Sequence, residues 1–178
     1  LIEHEFTDAT LAFTRDLFVF ACFTALSFAD IRELTTDDIM DVNGEKWIIS
    51  KRHKTGVPFQ VKLLDIPLQI IGKYRPFQKD NSVFGEINYW SICKKLKNVI
   101  RECNINKQIS FHVARHTFGT LALSKGMPIE SVSRVLGHTN IKTTQIYAKI
   151  TTQKLGNDLT AFGNQLNRTF GNIKVAGV

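Results

Sequence analysis

Apolar residues recur at helical spacing along most of the chain and alternate with polar residues in one short region. The helical spacing predicts helices over about residues 7–25, 28–34, 67–75, 87–103, 110–125, 128–136, 140–147 and 151–166. Strands are predicted over residues 39–42, 46–50 and 57–63, and Asn43-Gly44 suits the tight turn of a hairpin. The chain is therefore predicted to be mainly α with a small antiparallel β-sheet (α+β).

Length and composition indicate one globular domain. The chain has 178 residues, of which 43% are hydrophobic and 22% are charged. Its densest apolar run, residues 17–23, is too short to span a bilayer. Cys22, Cys93 and Cys103 lack metal-ligand spacing, and an odd count without a disulfide framework suits a reducing cytoplasm. The chain begins at Leu1 rather than Met, which favours a fragment of a longer protein.

The two halves of the chain carry opposite charge. Residues 1–50 hold three basic and ten acidic residues, whereas residues 89–154 hold eleven basic and two acidic ones. A generic basic surface is one interpretation. A face that binds nucleic acid is the other, and it is favoured because the basic half also holds the motifs described next.

The motifs that carry chemistry lie in the second half. His112 and Arg115 are three residues apart, so a helix presents both on one face, where a guanidinium and an imidazole can bind a phosphate. Leu136-Gly137-His138 and Tyr147 follow. Together these residues supply charge neutralisation, proton donation and a nucleophile, which are the parts needed to break a phosphodiester.

His-x-x-Arg, then Leu-Gly-His, then a tyrosine nine residues on resembles the C-terminal catalytic domain of tyrosine recombinases, the phage integrase family, from about residue 7 to 160. The resemblance implies that family's catalytic-domain fold and site-specific cutting and rejoining of DNA. Tyr147 would be the nucleophile, forming a 3′-phosphotyrosyl link and freeing a 5′-hydroxyl. Arg115, His112 and His138 would hold the phosphate. No cofactor or metal ion is implied.

The resemblance also implies a lysine in a β turn as general acid for the leaving 5′-hydroxyl. Lys54, in the predicted turn over residues 51–56, matches best, and Lys51 is the alternative. His116 is assigned to another helix face and is expected to pack internally. The chain thus has at least one candidate for each family role except the first arginine.

That arginine is replaced by Ser27: residues 24–27 read Thr-Ala-Leu-Ser, where the family pattern is Thr-Gly-Leu-Arg. A hydroxyl cannot neutralise phosphate charge, so our hypothesis is that Arg52 substitutes, because it would share a strand face with Lys54. Arg32 is a weaker candidate. The segment around Ser27 resembles Bacteroides-type integrases of conjugative transposons and related mobile elements, so serine there need not mean a dead enzyme.

We expect a catalytic domain over residues 1–166 and a flexible tail over residues 167–178, with the family's N-terminal DNA-binding domains absent from this chain. The implied partner is double-stranded DNA, bound by a homotetramer that is a monomer when free. The helix over residues 151–166 would be exchanged between neighbours, and no membrane is involved. Two alternatives stay open: a non-catalytic DNA-binding module that kept the fold, and a type IB topoisomerase-like relaxing activity.

Overall fold

The computed structural model describes residues 1–148 and 152–171. The chain forms two units, Leu1–Tyr147 and Ala148–Val178. Helices account for most of the described residues, and the strands form one three-stranded antiparallel sheet in the order β1-β2-β3. No helix within these described ranges has the length and apolar character needed to cross a bilayer. The predicted fold class is confirmed.

Eleven elements other than short 3₁₀ turns are described. The helices are α1 (Ala9–Thr24), α2 (Phe28–Arg32), α3 (Asp65–Tyr74), α4 (Tyr89–Glu102), α5 (Phe111–Ser124), α6 (Ile129–Leu136), α7 (Lys142–Gln145) and α8 (Thr152–Phe170). The strands are β1 (Ile39–Val42), β2 (Glu45–Lys51) and β3 (Pro58–Lys62), and the 3₁₀ turns are Thr36–Asp38 and Arg75–Phe77.

Helix α1 forms the centre of the first unit and packs against α3, α4 and α5. Its residues 17–21 are all buried, because this stretch is apolar on every face. Phe20 packs edge-to-face on Phe84, with ring centroids 5.0 Å apart. The helix begins after Asp8, whose carboxylate accepts the Thr10 N–H at 2.7 Å. The candidate site described in the next subsection lies at the C-terminal end of this buried helix.

The sheet presents one buried face, carrying Ile48, Phe59 and Val61. Its β1–β2 turn has positive φ at both Asn43 (+55°) and Gly44 (+80°), so the predicted tight hairpin turn is confirmed. The β2–β3 turn is closed by the Arg52 N–H, which donates to the Val57 carbonyl at 2.8 Å. The start of this turn is therefore fixed, while its tip projects from the sheet.

Several element ends differ from the prediction. Asp8 rather than Thr7 caps α1. Helix α7 ends at Gln145, so Tyr147 lies beyond it rather than on it. The threonines at positions 143 and 144 are weak helix formers, because a β-branched side chain loses rotamer freedom in a helix.

The last helix, α8, continues to Phe170 instead of ending at residue 166, because no glycine or proline lies between residue 166 and Gly171. Much of the predicted tail, residues 172–178, lies outside the described residues. The catalytic domain over residues 1–166 and the flexible tail over residues 167–178 stay predictions.

Candidate active site

The candidate site is organised around one backbone carbonyl, that of Ala25 at the C-terminal end of α1. Ala25 is fully buried and left-handed, with φ +57°, which is uncommon for a residue other than glycine. The family pattern has glycine at this position, and the backbone conformation gives the physical reason. The Ala25 carbonyl accepts hydrogen bonds from two arginines, Arg115 and Arg52.

Arg115 reaches this carbonyl from the first half of α5. Its Nη1 donates to the Ala25 carbonyl, and its Nη2 donates to the Leu136 carbonyl at 2.7 Å, at the C-terminal end of α6. Burial and the neighbouring Arg52 lower the pKa of Arg115 to about 10. The guanidinium therefore stays charged at neutral pH and is held in one orientation by two helix ends.

Arg52 begins the β2–β3 turn and is only 6% exposed. Its Nη1 donates to Asp30 Oδ2 at 2.8 Å, and its Nη2 donates to the Val135 carbonyl. The guanidinium carbon lies 4.0 Å from the centre of the Phe59 ring. Its buried Nε has no acceptor among the described residues. Arg52 is thus a cation built into the protein beside Arg115.

Asp30 links this cation to the position where the family arginine is missing. Its Oδ2 also accepts hydrogen bonds from the Ser27 hydroxyl at 2.8 Å and from the Ser27 N–H at 3.0 Å. In return, the Ser27 Oγ accepts the Asp30 N–H, and this completes a capping box at the start of α2. Asp30 Oδ1 accepts the His53 N–H at 2.9 Å. Asp30 was not among the site residues predicted from the sequence, although its spacing from Ser27 is that of a capping box.

His138 lies next to both arginines, after the turn that ends α6. Its Nδ1 lies 2.8 Å from the Oγ1 of the buried Thr144. Burial, Arg115 and Arg52 all lower the pKa of His138, so the ring is neutral at neutral pH. If Thr144 donates to Nδ1, then Nε2 carries the hydrogen and can donate to a phosphate oxygen.

Gly137 ends α6 in the left-handed conformation, with φ +67°. A Cβ at Gly137 would lie 3.0 Å from Arg52 Nε, so the motif Leu136-Gly137-His138 needs glycine both for the backbone and for the arginine packed on it.

We expect Gly137→Ala to lower the free energy of unfolding by about 1–2 kcal/mol, because alanine is strained at this φ and crowds Arg52. Urea denaturation monitored by circular dichroism measures this. Gly72→Ala in α3 is the matched control, since nothing lies within 4 Å of an added Cβ there; it should gain roughly 0.5–1 kcal/mol. Equal effects of the two substitutions would contradict the prediction.

Tyr147 lies against α5, close to Arg115. Its ring is edge-to-face with His116 at 5.1 Å, and His116 is edge-to-face with the exposed His112 at 4.5 Å. Burial raises the pKa of Tyr147, and Arg115 opposes this shift. The assignment of His116 to a different face was wrong: it follows His112 by four residues, which is one helical turn.

Lys54 and Arg32 lie outside this set of direct contacts. Lys54 is exposed in the β2–β3 turn, two residues after Arg52. The expectation that the two share a strand face was wrong, because β2 ends at Lys51. Arg32 is half-exposed and pairs with Glu33 at 2.9 Å. It lines a separate surface cavity of about 610 Å³ with Tyr89 and Trp90.

The fold and these side chains define a class of protein. The sequence profile of the phage integrase family matches residues 3–154, and the chain belongs to that family. The chain is 30% identical over 139 residues to the tyrosine recombinase XerA of Saccharolobus solfataricus, covering 77% of this chain and 47% of that protein. It therefore spans about half the length of the curated relatives it matches.

Solved structures show the same fold. The XerH site-specific recombinase bound to its difH substrate, in a pre-cleavage complex, has a TM-score of 0.69 at 21% identity, over 89% of this chain and 49% of that one. The catalytic domain of bacteriophage HP1 integrase has a TM-score of 0.61 at 20% identity, over 85% of this chain and 88% of that one. The resemblance to the family is confirmed, and the Bacteroides-type subfamily stays a prediction.

Proposed function

We propose that this chain is the catalytic part of a site-specific DNA recombinase, which cuts and rejoins double-stranded DNA through a 3′-phosphotyrosyl intermediate. The Tyr147 hydroxyl oxygen attacks the scissile phosphorus, and its proton passes to an imidazole, with His112 as the candidate. The bond from phosphorus to the 5′-oxygen breaks, and Lys54 gives that oxygen a proton. Arg115 and His138 stabilise the charge on the nonbridging oxygens.

One observation carries this proposal: Tyr147, Arg115, His138 and Arg52 come from four separate segments and converge within contact or close electrostatic range. A core tyrosine or a surface arginine would not require such a convergence. Two guanidinium groups beside a neutral imidazole suit an anion with several oxygens. The phenol is the one good nucleophile among these four side chains.

The test is a suicide substrate, in which the leaving strand diffuses away and traps the covalent intermediate. With the full-length protein we expect a protein–DNA adduct that Tyr147→Phe abolishes while DNA binding is retained. Tyr89→Phe is the matched control, because Tyr89 is an exposed tyrosine on α4. Binding without an adduct would favour the non-catalytic module, and relaxation of supercoils without recombinants would favour the topoisomerase-like activity.

Lys54 can be tested apart from the other residues. Lys54→Ala should slow cleavage of ordinary DNA by about 10²-fold or more, as expected for loss of a general acid. A substrate with sulfur at the 5′-bridging position should restore the rate, because a thiolate leaves without a proton. Lys51→Ala is the control at the alternative lysine. Loss of cleavage in Lys51→Ala with none in Lys54→Ala would reverse the assignment.

Arg52 is proposed as the cation that replaces the arginine missing at Ser27. Support comes from Asp30, which hydrogen-bonds both residues and so brings Arg52 next to Ser27. Arg52 is buried and paired, so its charge acts on the phosphate mainly through space. We expect Arg52→Ala, assayed at a temperature where it is folded, to lose at least about tenfold in cleavage rate. Undiminished cleavage would remove Arg52 from the site.

Double-stranded DNA is the proposed partner, and phosphate contacts would dominate its affinity. Exposed basic residues of the second half include Lys94, Lys97, Arg101, Lys125, Arg134 and Lys142.

The proposed assembly on DNA is a tetramer in which α8 is exchanged between neighbours. This helix leaves one apolar face exposed, made of Leu155, Leu159, Phe162 and Leu166. Phe162→Asp should block assembly on DNA, and a full-length protein that stays monomeric on DNA would contradict the exchange.

A further inference from the structure

Two residues on α5, His116 and Gly119, lie against the ring of Tyr147, and His112 contacts the His116 ring. His112, His116 and Gly119 follow one another at spacings of four and three, so they lie along one face of the helix. The His116 ring meets the Tyr147 ring edge-to-face, with centroids 5.1 Å apart and planes at 73°. This geometry is the favoured one for an aromatic pair.

Gly119 lies close to the same ring. A Cβ at Gly119 would lie 2.8 Å from Tyr147 Cδ2, closer than real Cβ atoms approach, and 3.1 Å from Cε2 and Cγ, which is a tight contact. Gly119 is buried in the middle of α5, where glycine is unfavourable relative to alanine. The close approach of the phenol gives a physical reason for glycine at this position.

The backbone alone restrains Tyr147 little. The residue follows a helix of only four residues, and its N–H donates to the Thr144 carbonyl at 3.0 Å. The direction of the hydroxyl therefore depends on what the ring packs against. In-line attack needs the oxygen within about 3–3.5 Å of phosphorus and aligned with the leaving group.

We propose that His116 and Gly119 form a seat for the Tyr147 ring, and that His116 is a positioning residue that aims the nucleophile. This inference rests on the proposed function, because it assigns a role within the same cleavage step. His116 needs no proton transfer for this role. Its pKa is lowered by burial, by His112 and by Arg115, so the ring stays neutral at neutral pH and does not repel Arg115.

The seat itself can be detected without DNA. The protein has three tyrosines, so labelling with 3-fluorotyrosine gives three ¹⁹F resonances, and Tyr147→Phe assigns one of them. We expect His116→Ala and Gly119→Ala to shift the Tyr147 resonance and leave those of Tyr74 and Tyr89 in place. A Tyr147 resonance unmoved by both substitutions would overturn the seat.

The aiming role is tested by single-turnover cleavage with the full-length protein. His116→Ala and Gly119→Ala should lower the cleavage rate constant by about 10- to 100-fold, with the dissociation constant for DNA changed by about twofold or less. His116→Phe keeps the ring contact and should restore most of the rate. Thr120→Ala, exposed on α5, and Gly72→Ala, open in α3, are the controls.

The outcomes separate the two proposals. An adduct in the unsubstituted protein with undiminished cleavage by His116→Ala would overturn the aiming role alone. Equal losses in His116→Phe and His116→Ala would show that ring packing is not what His116 supplies, and would overturn it too. No adduct in any variant would instead defeat the proposed function and the aiming role, while the ¹⁹F spectra would still decide whether the seat exists.

Discussion

Replacing Arg115 with alanine is expected to lower the rate of DNA cleavage by at least about 10³-fold. In other enzymes, removing one uncharged hydrogen-bond donor to a developing oxyanion lowers kcat by about 10²–10³-fold. Arg115 carries a full charge and two fixed donors. Its guanidinium is oriented by the Ala25 and Leu136 carbonyls, so it needs little reorganisation when charge builds on the phosphate. Single-turnover cleavage of a suicide substrate measures the effect.

Two variants make this result specific. Arg134→Ala removes an exposed arginine from α6 and should weaken DNA binding slightly without slowing the cleavage step. Arg115→Lys keeps the charge but loses the planar pair of donors, so it should recover only part of the rate. Cleavage by Arg115→Ala as fast as by Arg134→Ala would contradict the role proposed for Arg115.

Replacing Asp30 with alanine is expected to lower the free energy of unfolding by about 3–5 kcal/mol, because it leaves the Arg52 charge buried without its partner. The Arg52–Asp30 pair is 2.8 Å long, with side chains only 6% and 4% exposed. The substitution also removes the acceptor of the Ser27 hydroxyl and the His53 N–H. Urea denaturation monitored by circular dichroism measures the loss.

An exposed ion pair in the same region serves as the control. Arg32 and Glu33 are also joined at 2.9 Å, but their side chains are 44% and 53% exposed. Glu33→Ala should cost about 1 kcal/mol or less, because solvent screens the pair. If Asp30→Ala costs no more than Glu33→Ala, the buried pair does not hold the site together.

The same carboxylate gives stability a defined dependence on pH. Burial raises the pKa of Asp30, but hydrogen bonds from the His53 N–H and from Arg52 outweigh it, so the pKa lies below the ordinary value of 3.8. A depressed pKa in the folded state means that the stabilisation is present above the unfolded pKa. It is therefore lost as pH falls below about 4, and Asp30→Ala should flatten this part of the stability curve.

Local spacing was enough to predict the parts of the site that lie on single elements. His112 and Arg115 lie on one helix, and Gly137 ends another, as their sequence patterns indicate. His116 was misassigned although its four-residue spacing from His112 already put the two on one face. The main sheet and helices follow from the same kind of periodic pattern.

Contacts between distant segments could not be predicted in this way. Arg52 meets Asp30 across 22 residues of sequence, and it is buried in the turn after β2 rather than lying on the strand. Ala25 has a left-handed backbone, and nothing in the sequence indicates that two arginines donate hydrogen bonds to its carbonyl. Such contacts depend on how α1, α5 and α6 pack, which residue periodicity does not specify.

The shared Ala25 carbonyl also has a consequence for folding. Its bonds to Arg52 and Arg115 close loops of 27 and 90 residues, and the bond from Arg52 to the Val135 carbonyl closes one of 83. Long loops close at an entropic cost that the growing core must first offset, so these bonds belong late in the folding reaction. A partly folded chain would then lack the two positioned guanidinium groups, so the proposed site would be assembled only when folding is nearly complete.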